Sequence, residues 1–138
     1  MTKLFLDSNI WLRYFLKDND EFEKVEKLLT VIEEGRFLPY ISPIVLLEVI
    51  YVLQITYKLP KEDIEKYVSA IIEVRNLVII NKFDTKKALS YFYETHIKFG
   101  DCLIASQIAP KMILVTFDKE LSKIKAVKTL TPAQLLVK

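Results

Sequence analysis

Short apolar runs alternating with helix-length stretches constrain this chain more than any other feature. Residues 3–6, 40–41, 77–80, 113–116 and 126–129 read as strands, with Pro39 marking the start of the second. Between them the spacing predicts helices over 10–16, 20–34, 43–58, 61–75, 84–98 and from 101 onward, a helical turn over 118–122 and a final turn at Thr131-Pro132. The helix over 20–34 carries Phe22, Val25, Leu28, Leu29 and Ile32 on one stripe, and Gly35 stops it. Ser42 caps the next helix and Pro43 takes its first position. Apolar strands alternating with helices give an α/β fold. It is expected to be a three-layer α/β/α domain around a parallel sheet of about five strands. Ligands of such sheets bind beyond the carboxyl ends of the strands, so the residues just after each strand are the first place to look for chemistry.

The 138 residues fit one domain spanning 1–138, and 51% hydrophobic residues suffice for a real core. With 20 Lys+Arg against 18 Asp+Glu, the net charge of +2 points neither toward nor away from nucleic acid. Cys102 is the single cysteine, so an intramolecular disulfide and a thiolate zinc site are both excluded. It suits a reducing, cytoplasmic setting and reads as a small core residue. The longest apolar stretch, 44–53, is too short to cross a bilayer, and the first residues carry no cleavage-site pattern, so no membrane partner is expected.

Most acids sit among other charges. Asp18, Asp20, Glu21, Glu23 and Glu26 form one patch and Glu62, Asp63 and Glu65 another, as solvated helix faces do. Four acids differ. Asp7 stands alone after the first strand, where it serves either a ligand or the cap of the following helix. Glu48 is the single charge between Pro43 and Tyr57, in a helix apolar nearly all round, which predicts burial. A buried carboxylate there needs a metal or an ion-pair partner such as Arg13. Asp101 is expected to open a helix after Gly100, so its charge also suits the helix dipole. Asp118 follows the fourth strand and can cap the next turn. Clustered carboxylates repel unless a cation joins them, and an all-oxygen ligand set selects Mg²⁺ or Mn²⁺ over zinc. The spacing itself goes no further than an acidic metal site.

Four blocks, in order and spanning essentially the whole chain, resemble the PIN-domain nucleases. Leu4-Phe5-Leu6-Asp7-Ser8-Asn9 is similar to their opening strand and Asp-Ser/Thr-Asn step. Ile41-Ser42-Pro43-Ile44-Val45-Leu46-Leu47-Glu48 looks like their second block, and Asp101-Cys102-Leu103-Ile104-Ala105-Ser106 like the Asp-x-Leu-Ile-Ala-Ala block. Leu114-Val115-Thr116-Phe117-Asp118 resembles the closing Val-Thr-x-Asp. Pro39 in the second strand, and Lys119-Glu120-Leu121 after the last acid, depart from the pattern without touching an expected ligand. The compact size resembles VapC-type toxins of VapBC toxin–antitoxin pairs.

The resemblance implies a PIN-like fold and Mg²⁺-dependent hydrolysis of RNA, with Asp7, Glu48, Asp101 and Asp118 as metal ligands and catalytic residues. Asn9 and Thr116 would hold carboxylates or water, and Arg13 and Lys17 could contact substrate phosphate. His96 shares a stripe with Leu89, Phe92 and Phe99 and is expected at the core edge, not in catalysis. A homodimer and an antitoxin are implied partners. Tyr51, Val52, Ile55 and Tyr57 with Tyr67, Val68, Ile71 and Ile72 supply more apolar surface than one core face requires. Three rivals remain: a PIN nuclease of RNA processing, a non-catalytic PIN-fold RNA-binding or scaffold protein, and a haloacid-dehalogenase-like phosphatase. The last needs a second Asp where this chain has Asn9.

Overall fold

The computed structural model describes residues 1–17 and 20–137, so Asp18 of the first acidic patch lies outside the described residues. Among them, β1 (Lys3–Leu6), β2 (Leu38–Ile41), β3 (Val78–Ile79), β4 (Ile113–Val115) and β5 (Lys128–Leu130) form one sheet in the order β3-β2-β1-β4-β5. All four pairings are parallel. The sheet is flanked by α1 (Ser8–Leu16), α2 (Phe22–Glu33), α3 (Pro43–Tyr51), α4 (Lys61–Ile72), α5 (Thr85–Glu94), α6 (Phe99–Ser106) and α7 (Pro132–Leu136). The five-stranded parallel sheet with helical cover matches the fold expected from the sequence.

β1 sits at the centre, and Leu4, Phe5 and Leu6 are fully buried, as strands covered on both faces must be. Pro39 lies inside β2, not ahead of it. The short β3 reaches only Tyr40 and Ile41, so Pro39 stands where β2 has β1 alone beside it. β5 begins two residues later than its hydropathy suggests, because Val127 turns into the core just before the strand.

The helix expected over 43–58 is α3 followed by a π-helical segment, Val52–Thr56. It is not buried all round. Val45, Val49 and then Leu53 face the core, but Leu47 is 62% and Tyr51 60% exposed. α3 packs against α1, α4 and α6, and Leu47 and Tyr51 on its outer face stay exposed among the described residues. Of the apolar pair of helices, Tyr51, Ile55, Tyr57 and Ile72 lie on the surface, whereas Ile71 is fully buried.

The helix expected over 84–98 ends early. Thr95 adopts extended backbone, and its hydroxyl donates to the Tyr91 carbonyl at 2.7 Å, occupying the last turn. The stripe through His96 therefore stops short, and His96 is exposed instead of packed. The next helix starts at Phe99, so Gly100 lies within α6 and Asp101 is its third residue, not its first.

Candidate metal centre

The order β2-β1-β4 places a reversal of winding between β1 and β4, and a crevice opens outside their carboxyl ends. Asp7 and Thr116 are the residues immediately after those two strands. Their backbones prolong the sheet, Asp7 N donating to Val115 O at 3.1 Å and Thr116 N to Leu130 O at 3.0 Å. A rigid sheet edge thus fixes both side chains.

Asp7 is buried, and each of its oxygens is occupied. Oδ1 accepts from Ser8 N at 2.8 Å, capping α1. Oδ2 accepts from Thr116 Oγ1 at 2.7 Å and more loosely from Asn9 Nδ2 at 3.5 Å. The Thr116 hydroxyl has one proton and gives it to Asp7. Its lone pairs accept from Asn9 Nδ2 at 3.1 Å and Asp118 N at 3.0 Å. Asn9 Oδ1 in turn accepts from Phe117 N at 3.2 Å, which locks the amide orientation. Cap and site are the same geometry here: the bond that starts α1 also leaves the Asp7 carboxylate facing the crevice.

α3 and α6 bring the other two acids. Glu48 comes from the middle of α3, and Asp101, almost fully buried, from the first turn of α6. Asp7, Glu48 and Asp101 each offer one oxygen within 4.8 Å of the others. Gly100 lies alongside, where a Cβ would meet Glu48 Oε2 at 3.9 Å. Glu48 is half-buried, and its Oε1 is sealed from solvent with no hydrogen-bond partner among the described residues. Such an orphaned acceptor is costly unless a cation takes it. Its ion-pair partner is not Arg13 but Lys98, with Nζ 3.8 Å from Oε2.

Burial is the first cause that raises the pKa of all three acids above the ordinary carboxylate range. For Glu48 and Asp101 the neighbouring Asp7 charge adds to it, and Asp101 is pushed up to about 7. In every case Lys98 pulls the other way. A hard divalent cation fits this donor set: the oxygens are close, Glu48 Oε1 lacks a hydrogen-bond partner among the described residues, and the mutual repulsion of the acids calls for positive charge.

Asp118 does not join the three. It sits at the rim, where Oδ1 accepts from Glu120 N at 2.9 Å and caps a 3₁₀ turn, Lys119–Lys123. Its charge still bears on Asp7 and Asp101. Arg13 and Lys17 are turned to other work. The Arg13 Nε meets Glu21 Oε1 at 2.8 Å with its guanidinium over the Phe117 ring, and Lys17 Nζ lies over Phe22. Lys98 is the functional candidate that sequence reasoning missed. Its signal was weak: one lysine among many, three residues before Asp101. Cys102 is fully buried, as expected of a core residue.

The sequence pattern of the PIN domain matches residues 4–127. No curated protein sequence matches closely enough to count as a relative. Solved structures of similar fold include VapBC2 from Rickettsia felis bound to a DNA fragment from their promoter. It has a TM-score of 0.69 and 23% identity, covering 94% of this chain and 98% of that one. VapC20 from Mycobacterium tuberculosis, a sarcin–ricin loop cleaving toxin, has a TM-score of 0.68 and 13% identity, over 87% of this chain and 93% of that one. FitAcB from Neisseria gonorrhoeae has a TM-score of 0.62 and 16% identity, over 94% and 98%. At these identities the likeness is one of fold.

Proposed function

Since the chain belongs to the PIN domain family, we propose that it is a divalent-metal-dependent endoribonuclease, the toxin of a toxin–antitoxin pair. The observation that carries this reading is the convergence of Asp7, Glu48 and Asp101 within 4.8 Å, with a buried glutamate oxygen that has no hydrogen-bond partner among the described residues.

Asp7, Glu48 and Asp101 would hold Mg²⁺, or Mn²⁺ in its place. The ion would lower the pKa of a bound water and offset charge building on the phosphate. The protein's part is to hold the ligands still. Thr116 and Asn9 keep Asp7 Oδ2 in place, and the backbone amide of Ser8 fixes the other oxygen. Asp118 would act from the rim, orienting water or substrate. His96 is exposed in the segment between α5 and α6 and would have no part in this scheme, in which a bound ion would supply the activated water.

An RNA substrate, a toxin role and a cognate antitoxin are supported by the fold shared with VapC20 and VapBC2. Work on RNA would place the protein in the cytoplasm, and among the described residues no helix is long and apolar enough to cross a membrane. The exposed Leu47, Tyr51, Ile55 and Ile72 support a homodimer.

The test is cleavage of total RNA with Mg²⁺ and with EDTA. Wild-type protein is expected to cut only with the metal. Asp7→Asn and Asp101→Asn are expected to lose at least about 10²-fold in rate while keeping the wild-type circular dichroism spectrum. If Asp7→Asn cuts as fast as wild type, the assignment fails. RNA binding without cleavage by the wild type would instead favour the scaffold reading. Growth arrest on expression, relieved by Asp7→Asn, separates a toxin from a processing enzyme.

A further inference from the structure

We propose that Lys98 is a substrate-phosphate residue, whose ammonium, poised over the acid cluster by Glu48, meets the backbone phosphate that must approach three carboxylates. The inference rests on the nuclease reading above and names a residue of the same site.

Placement comes first. Lys98 is the N-cap residue of α6, and its carbonyl accepts from Asp101 N at 3.1 Å and Cys102 N at 3.2 Å. The root of the side chain is thus fixed to the turn that carries Asp101. The tip is free to move: the side chain is 71% exposed, against 22% for Glu48, and the 3.8 Å separation is a loose ion pair. A lysine whose sole task was to neutralise a half-buried glutamate would be drawn in beside it. Lys98 instead stays largely exposed along its side chain while it pairs with Glu48 Oε2, and Glu48 Oε1 has no hydrogen-bond partner among the described residues.

Charge balance gives the second ground. Three carboxylates and one divalent cation leave one negative charge, and a phosphodiester brings another. The Lys98 charge brings the loaded three-acid cluster to neutrality before substrate arrives, and Asp118 adds one negative charge at its rim. Among the described residues, Lys98 forms the one ion pair to a cluster carboxylate, and Arg13 and Lys17 are engaged with Glu21 and Phe22. Metal occupation of the Glu48 oxygens would weaken their hold on Lys98 and release it toward the phosphate. A flexible ammonium suits that exchange of partners.

The experiment compares Lys98→Gln and Lys98→Arg with wild type. In Mn²⁺ titrations without RNA, Lys98→Gln should bind the ion up to about tenfold more tightly, because a competing positive charge is gone. With saturating Mg²⁺, kcat/KM for RNA cleavage should fall about 10²-fold in Lys98→Gln and less than about tenfold in Lys98→Arg. The slope of log KM against log salt should shrink by about one charge in Lys98→Gln. Cleavage by Lys98→Gln at the wild-type rate once metal saturates would overturn the proposal, leaving Lys98 a mere counter-ion of Glu48. Weaker Mn²⁺ binding by Lys98→Gln would overturn it too. If wild-type protein with metal does not cut RNA, the nuclease reading falls and this inference with it. The wild-type control keeps the two failures apart.

Discussion

Asp101 shows how much a single carboxyl can report. Its pKa is pushed from 3.8 to about 7, first by burial and then by the charge of Asp7. The sign follows from proton counting. Between about pH 4 and pH 7 the folded, metal-free chain keeps a proton that the unfolded chain has released, so stability falls as pH rises through that window. The raised pKa values of Asp7 and Glu48 act in the same direction. Urea unfolding in EDTA should therefore show a free energy that drops between about pH 4 and pH 7, with a smaller drop in Asp101→Asn. Saturating Mg²⁺ should flatten the wild-type curve, and an unchanged pH slope in Asp101→Asn would refute the account. Asp7 and Glu48 were legible in the sequence because each stands alone between apolar runs, whereas Asp101 and Asp118 read equally well as helix-end charges and were grouped with them by the PIN resemblance. Lys98 was not legible, since a lysine beside a loop is the commonest of surface features, and only packing reveals which one overlooks the acids.

At the scale of elements, termination was harder to read than formation. The stop at Gly35 was plain: its φ of 82° lies in the left-handed region, and its N–H donates to Ile32 O at 2.9 Å beyond the end of α2. Gly35→Ala should cost about 1 kcal/mol in urea unfolding, with the m-value unchanged, since a Cβ makes that conformation strained. The end of α5 gave no such signal. Helical periodicity runs on past Glu94, and the hydroxyl of Thr95, not a glycine or proline, ends it. That early end matters for the centre. It lets α6 begin two residues before Asp101, so the acid enters from the first turn. The burial of α3 was overestimated for a different reason: an apolar sequence shows what a helix can bury, not whether a neighbour is available to bury it.

For the whole molecule, the parallel sheet and its helical layers were legible from alternation alone, whereas the strand order was not. Any βαβ succession reads alike along the chain, and only packing decides that β4 adds beside β1 and not beyond β3. The same distinction applies to the outer surface. Tyr51 and Ile55 are 60% and 53% exposed, one turn apart on the same helical stretch. If this face joins two copies, Tyr51→Lys combined with Ile55→Lys should convert a dimer to a monomer by light scattering at micromolar protein. A wild-type monomer under the same conditions would refute the dimer.

The position of β1 carries one more consequence. It lies between β2 and β4, and its terminal aspartate is tied to a threonine 109 positions away. During synthesis, β1 and β2 can pair while the partner for the other side of β1 is still unmade. The emerging chain therefore carries Asp7 through 109 positions before the threonine that holds it is made. The site is thus assembled late, when β4 adds to the free side of β1 and brings Thr116 to Asp7.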